Sequence, residues 1–268
     1  MKKLLLATVA LSALAGSALA ADLPYRRAAP APAFVAVPVF TWSGMYVGVN
    51  AGYGFSGDGN IATSGNTPVT IANVNAGFRP ATVKNERNGF VGGGQIGYNY
   101  QVGALVLGVE TDIQYTDLEK STNFLSGRGD PAAFKSKMDY LGTVRGRIGY
   151  AMDRWMIYAT GGLAYAEVTN SAVFNNFAIP GQVQFLGSRR GTETGYAVGG
   201  GVEYAMPTFN FGGSAATFKV EYLYYNLGDR NVTVAGVLPT NLSNSYNSKF
   251  SNDGHIVRAG LNWKFSAF

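Results

Sequence analysis

The side chains whose types and spacing could do chemistry are ionic. Glu110 and Asp112, Arg145 and Arg147, and Lys219 and Glu221 stand two residues apart, and Glu193, Glu203, Arg258 and Lys264 stand singly. A spacing of two places both charges on one face of a β-strand. On strands, Glu110 and Asp112 lie at the depth of Arg147 and Arg145 on the following segment and form a cross-strand ion-pair ladder, and Glu203 pairs similarly with Lys219. The five acidic and five basic side chains in this set balance. An unpaired buried ion costs several kcal/mol, so such a set demands partners. Two readings follow: an interior plugged and locked by ion pairs, or a narrow charge-lined gate that opens transiently.

Other chemistries find little support. His255 is the only histidine, and with Asp253 and Ser251 close in sequence it could in principle activate a hydroxyl. No G-x-S-x-G elbow accompanies it, and a lone histidine at a strand mouth reads as a polar rim residue. Gly92-Gly93-Gly94-Gln95-Ile96-Gly97 matches the dinucleotide pattern G-x-G-x-x-G, but that motif needs a strand-to-helix turn, whereas here the glycines run on towards Tyr98 and Tyr100 as strand. Arg128-Gly129-Asp130 spells an integrin-type tripeptide that arises readily by chance. No cluster has metal-ligand spacing. The expectation is a chain with no catalytic residue, no cofactor and no metal.

The elements that must position the charges come from period-two alternation. From Met45, apolar Met45, Val47, Val49, Ala51, Tyr53 and Phe55 alternate with mostly small or polar Gly44, Tyr46, Gly48, Asn50, Gly52 and Gly54. The pattern returns over residues 90–100, 105–115, 140–150, 155–165, 194–204, 218–224 and 257–265. Phased by their apolar residues, these eight strands put every one of the ten charges on the non-apolar face. A soluble sandwich or lipocalin also alternates. Eight antiparallel strands, however, close into a barrel whose lumen is just filled by side chains. The Tyr, Trp, Phe, Leu and Ile of the apolar face would overfill it, so they point outward into lipid, and closure satisfies every backbone group.

Aromatic placement adds a second argument. With a periplasmic N-terminus, Tyr100, Tyr150, Trp155, Tyr204, Phe218, Trp263 and Phe265 gather at the inner rim. Tyr53, Phe55, Phe90, Tyr115, Tyr140, Tyr165, Tyr196 and Tyr224 gather at the outer rim. Two such girdles mark the two membrane interfaces. Connections near 101–104 and 152–154 are tight and 205–216 is moderate, while 56–89, 116–139, 168–192 and 226–253 are long, polar and rich in Gly and Asn. The fold class is therefore all-β: a closed antiparallel eight-stranded transmembrane β-barrel with short periplasmic turns and four long extracellular loops.

Lys2 and Lys3, the apolar run to Leu14 and the small pair Ala18 and Ala20 form an export signal, with cleavage after Ala20. The run is too short for a retained membrane anchor. Losing Lys2 and Lys3 takes the net charge from +5 to +3, so the basic balance implies no nucleic-acid partner. Residues 21–40, rich in Ala and Pro, read as an extended periplasmic leader, and 41–268 as the barrel. With no cysteine the chain cannot be a disulfide-stapled secreted domain, and no apolar stretch after the signal is long enough for a transmembrane helix.

The chain resembles the small outer-membrane β-barrel or porin-family proteins of alphaproteobacteria, which include major surface antigens and haemin-binding members. The resemblance is carried by Ala21-Asp22-Leu23-Pro24 after the signal, Trp42-Ser43-Gly44-Met45-Tyr46-Val47-Gly48, Gly92-Gly93-Gly94-Gln95-Ile96-Gly97-Tyr98 and Ala259-Gly260-Leu261-Asn262-Trp263-Lys264-Phe265. It implies an eight-stranded barrel akin to the membrane domain of OmpA, without catalysis. Such chains usually end on an aromatic in phase with the last strand. Phe268 is out of step with Trp263 and Phe265, so the barrel-assembly machinery is expected to read the C-terminal strand at Phe265. The functional expectation is an integral protein of the cell outer membrane, in contact with its lipid and lipopolysaccharide, with a structural, surface-exposed role. The alternative is a narrow porin-like channel for small solutes. Haemin or other ligand binding by the outer loops and lipid modification are weaker readings.

Overall fold

The computed structural model describes residues 40–57, 59–211 and 214–265. The export signal, all of the leader except Phe40, and Phe268 lie outside the described residues. In chain order the elements are β1 (Gly44–Ser56), β2 (Asn60–Gly65), α1 (Pro68–Asn75), β3 (Thr82–Lys84), β4 (Asn88–Val102), β5 (Leu105–Leu125), β6 (Pro131–Met152), β7 (Trp155–Asn175), β8 (Val183–Phe211), β9 (Ser214–Gly236) and β10 (Ser245–Lys264).

Strands β1 and β4 to β10 pair antiparallel in sequence order, and β1 pairs with β10 from Tyr46↔Lys264 to Ser56↔Gly254 to close an eight-stranded ring. Along the span where β1 pairs with both β4 and β10, closure leaves no open edge, which is what permits a sheet to stand in hydrocarbon. At the inner rim, β4–β5 and β6–β7 turn in two residues, the first with Gly103 and the second with Asp153 in the left-handed region. The connection read as moderate at 205–216 is a continuation of β8 and β9.

The outer connections differ in form from the loops expected. A barrel strand needs about 9–11 residues to cross a bilayer, yet β5, β6 and β7 have 21, 22 and 21 residues. Segments 116–139, 168–192 and 226–253 are mostly ladder, ending in turns at 126–130, 176–182 and 237–244. The physical reason is an inversion of the alternation above the outer girdle. On β7 the inward positions run Tyr158 and Thr160, then Ala164, Ala166 and Val168, then Ala172 and Phe174. The outward positions meanwhile change from Ile157 and Leu163 to Glu167, Thr169 and Ser171. The lower half is thus polar within and apolar without, and the upper half is polar without and mostly apolar within, interrupted by one buried polar layer that includes Asn170.

The first outer connection, expected as loop, carries two short strands and a helix. Strand β2 adds to β10 through Ile61↔Phe250 and its neighbours, and β3 adds to β2. The shorter β1 and β4 are thereby replaced in the upper wall, and Thr122 of β5 donates to Asn85 Oδ1 at 2.8 Å across the seam. Helix α1 starts at a Thr67 N-cap with Thr70 completing a reciprocal capping box and a proline in its first turn, a known start signal.

Candidate functional site

Eight ionic side chains fill the lumen at membrane level: Glu110 and Asp112 from β5, Arg145 and Arg147 from β6, Glu203 from β8, Lys219 and Glu221 from β9, and Arg258 from β10. None is more than 5 % exposed. Four acids face four bases, so the cluster is neutral. Period-two alternation delivers each of them inward, and the ring brings distant strands together.

The pairing is only partly the ladder expected between adjacent strands, and its register differs: Glu110 stands opposite Arg145, Gly108 opposite Arg147 and Asp112 opposite Thr143, one rung off the expected depth. Arg145 does bridge to β5, its guanidinium donating to Glu110 at 2.7 Å and to Asp112 at 2.8 Å. Arg258 reaches neighbouring Glu221, with Nε to Oε2 at 2.8 Å. The other bonds cross the lumen. Lys219 donates to Glu110 at 2.8 Å, from the opposite side of the ring. Arg258 reaches Asp112 at 3.1 Å, Arg145 reaches Glu221 at 3.1 Å, and Arg147 reaches Glu203 at 2.8 Å. Arg147 stands 3.8 Å from Glu110. Glu203 and Lys219 are directly opposite in register, but Lys219 is drawn away to Glu110. Glu203 instead accepts from Thr217 at 2.5 Å and Asn262 at 2.9 Å. An eight-stranded lumen is narrow enough for long side chains to reach across, and each carboxylate thereby gains more than one charged or hydroxyl donor.

Two tyrosines on the inward face complete the cluster. Tyr46 donates to Glu110 at 2.7 Å, and Tyr158 donates to Glu221 at 3.0 Å. Both rings need glycine beside them. A Cβ on Gly97 would fall 2.3 Å from the Tyr46 ring, and one on Gly201 would fall 2.7 Å from the Tyr158 hydroxyl. Lumenal glycine is thus the room that lumenal tyrosine occupies.

The remaining charges of the set lie at the two mouths. Lys264 donates to the Ser43 carbonyl at the inner end, and Glu193 pairs with Arg230 near the outer end. The inner mouth is filled by Trp42, 1 % exposed, whose indole donates to the Asp153 carbonyl at 3.2 Å. Above the ionic layer sit Val91, Leu118, Met138, Leu141, Tyr225 and Ile256. Next comes a polar layer in which Arg87 donates to Ser136 at 3.1 Å and Asn252 at 3.3 Å, and then an apolar cap that includes Phe134, Phe174, Phe185, Tyr246 and Phe250. The alternation assigns no face to Trp42 or Arg87, because each stands at a strand's approach, outside the run that would mark it.

The aromatic set lies on the outer surface of the wall at both rims. At the inner rim Trp155 packs on Tyr204 at 4.6 Å between centroids, and Tyr100, Tyr150, Trp263 and Phe265 are exposed. At the outer rim Tyr53 faces Phe90 and Tyr115 faces Tyr140 in register. Tyr140 meets Tyr165 at 6.5 Å, and Tyr196 meets Tyr224 at 6.2 Å.

His255 belongs to this outer girdle, stacked on Phe55 at 5.3 Å with Nδ1 sharing a 2.6 Å hydrogen bond with the Tyr222 hydroxyl. Ser251 donates to Asp229 at 2.8 Å, so its hydroxyl is engaged away from the imidazole. The glycines 92–97 lie inside β4, without the helix a pyrophosphate would need. Asp130 of the Arg-Gly-Asp turn is buried, its backbone amide bonded to Ser126 Oγ at 2.9 Å. Among the described residues no group of three or more His, Cys, Asp or Glu is arranged to hold a metal.

A closed ring, an apolar exterior belt bounded by two aromatic girdles and a polar lumen are the attributes of an outer-membrane strand barrel. Residues 5–265 match the family model described as the outer membrane protein beta-barrel domain. The chain belongs to this family. It is 36 % identical to the 31 kDa outer-membrane immunogenic protein of Brucella melitensis, over 99 % of this chain and all of that one. It is 30 % identical to the 22 kDa outer membrane protein of Rhizobium leguminosarum, over 67 % of this chain and 69 % of that one. Among solved structures it is similar to OprG from Pseudomonas aeruginosa, with 13 % identity, 84 % of this chain and 97 % of that one covered, and a TM-score of 0.46. The protein is an integral outer-membrane β-barrel.

Proposed function

We propose that this barrel is a non-conducting, non-catalytic envelope protein: a closed cylinder that anchors four surface hairpins in the outer membrane. The observation that carries the reading is the neutral, fully buried ionic layer, in which Glu110 and Lys219 join opposite walls at 2.8 Å. A conducting pore keeps its lining charges in water. Here they are spent on one another, between an apolar layer above and Trp42 below. The reading includes export by residues 1–20 with cleavage after Ala20, a periplasmic leader over 21–40, and recognition of the last strand by the barrel-assembly machinery at Phe265. It also includes contact of the outer girdle with lipopolysaccharide.

Liposome swelling with graded sugars and planar-bilayer recording on the refolded protein test it, beside a deletion strain challenged with detergent. Sensitivity of the strain without swelling and without discrete current steps is the expected result. Sugar-size-dependent swelling with unitary steps would refute closure and make the chain a narrow channel.

A further inference from the structure

Arg79 follows α1 and turns into the outer end of the barrel, where it is 3 % exposed. Its guanidinium lies over the Phe174 ring, 5.2 Å from the centroid. Nη2 donates to the Asn175 carbonyl at 3.1 Å and to Gln184 Oε1 at 2.9 Å. Nη1 has no hydrogen-bond acceptor among the described residues. The Asp130 carboxylate stands 3.9 Å from it, beyond hydrogen-bond reach. Burial lowers the Arg79 guanidinium from its ordinary value, opposed by Tyr246 and Asp130. Buried donors are nearly always satisfied. Arg147 Nε and Arg230 Nε are likewise unbonded among the described residues, and what matters for Arg79 is that it borders a cleft.

Beside Arg79 lies a cleft of about 150 Å³, lined among others by Asn73, Arg128, Asp130, Gln184 and Tyr246. The Arg128 guanidinium is held between Phe177 at 4.0 Å and Phe78 at 4.7 Å. Two guanidinium groups against one carboxylate leave the lining with an excess positive charge. Asn73 donates to the Tyr246 hydroxyl at 3.0 Å, so the Tyr246 proton is available to another acceptor. The floor is the apolar cap of Phe174, Phe185 and Tyr246. A molecule that enters from outside stops there.

We propose that this cleft is a binding site for a single small oxyanion, a phosphate or a sugar carboxylate, that reaches it from the cell exterior. The volume holds roughly five waters' worth of ligand, which fits one such group and a few attached atoms. Arg79 Nη1 supplies the buried donor and Arg128 the charge at the entrance. A planar guanidinium is well matched to an oxyanion.

Titration calorimetry on the refolded full-length mature protein in a zwitterionic detergent, at matched ionic strength, tests this with two probes: sodium phosphate and sodium glucuronate. One-to-one saturable binding of at least one probe is expected. Preference for phosphate would point to phosphorylated ligands, and preference for glucuronate to uronic acids. Arg79→Gln removes a charge-assisted bond and weakens binding about tenfold or more, and Arg128→Ala weakens it severalfold. Unboiled electrophoretic mobility reports whether each variant is folded. Arg128, whose side chain is 44 % exposed, serves as the arm that folding does not confound. Absence of saturable binding by both probes, or affinities unchanged in folded Arg128→Ala, overturns the proposal.

Discussion

The ionic layer makes a quantitative claim that Glu110→Gln can test. Glu110 is 4 % exposed and meets Arg145 at 2.7 Å and Lys219 at 2.8 Å. Glutamine keeps the volume and removes the charge, leaving four buried cations with three carboxylates. Removing one partner of a buried pair costs about 3–5 kcal/mol, because the surviving charge stays out of water. The internal comparison is Glu119, which meets Lys135 at the same 2.7 Å on the wet upper wall, with side chains 37 % and 49 % exposed. Exposed pairs are worth about 0–1 kcal/mol. The two carboxylates differ in burial and in the number of cations each holds, one for Glu119 and two, at 2.7 and 2.8 Å, for Glu110, and both differences act in the same direction. The assay is urea unfolding of the refolded protein in micelles, followed by tryptophan fluorescence. Glu110→Gln should lower the folding equilibrium constant by roughly two to four decades, and Glu119→Gln by less than one. Adding Lys219→Met to Glu110→Gln restores neutrality and should recover part of the loss. Equal, small effects of Glu110→Gln and Glu119→Gln would mean that water reaches the layer, and the argument for a sealed lumen would fail.

Two further outcomes follow from particular contacts. Gly97→Val forces the Tyr46 ring off the wall and away from Glu110, and should destabilise by about 1–3 kcal/mol in the same urea assay, while Gly146→Ala, whose added Cβ meets nothing closer than 3.9 Å, should change stability by less than about 1 kcal/mol. Outside the membrane, hydrogen bonds from Lys249 and then Ser251 hold the Asp229 carboxyl below its ordinary value. A lowered carboxyl contributes stability above its unfolded value of about 3.9 and loses that contribution as pH falls through the folded one. Carbon-detected titration should therefore find the Asp229 midpoint below that of a free aspartate, and Lys249→Ala should move it upward. An unmoved midpoint would dissolve the assignment.

The eight transmembrane segments were legible because lipid outside and a narrow lumen inside impose opposite demands on successive residues. The inward direction of Glu110, Asp112, Arg145 and Arg147 was legible for the same reason. Their partners were not: register predicts Glu203 beside Lys219, but the choice of Glu110 depends on the width of the lumen, which no strand states by itself. The upper hairpins look like loops in sequence because outward apolar residues mark only the lipid-facing half of each wall. Ala172 and Phe174 keep the inward parity of Tyr158 and Thr160, so the signal was present with its polarity reversed. On β6 a bulge between Met138 and Tyr140 shifts the parity, which broke the run at the level where the polarity changes. The oxyanion cleft was invisible in sequence, because Arg79, Arg128 and Tyr246 come from three separate connections.

The reversal of polarity along each wall fixes how deep the cylinder floats. From Tyr165 to Asn175, ten residues of tilted strand rise roughly 25 Å, about the height of the apolar belt beneath. Just above the girdle, Lys135, Lys137, Glu167 and Arg190 face outward. Pushing the protein inward would drag these charges toward hydrocarbon, at up to about 2–4 kcal/mol for each Arg or Lys brought to the midplane. Pulling it outward would lift Ile113, Tyr115 and Leu163 into water. The chain therefore carries its own waterline, and the hairpin tips stand at a constant height above the lipid without any need for a partner to hold them there.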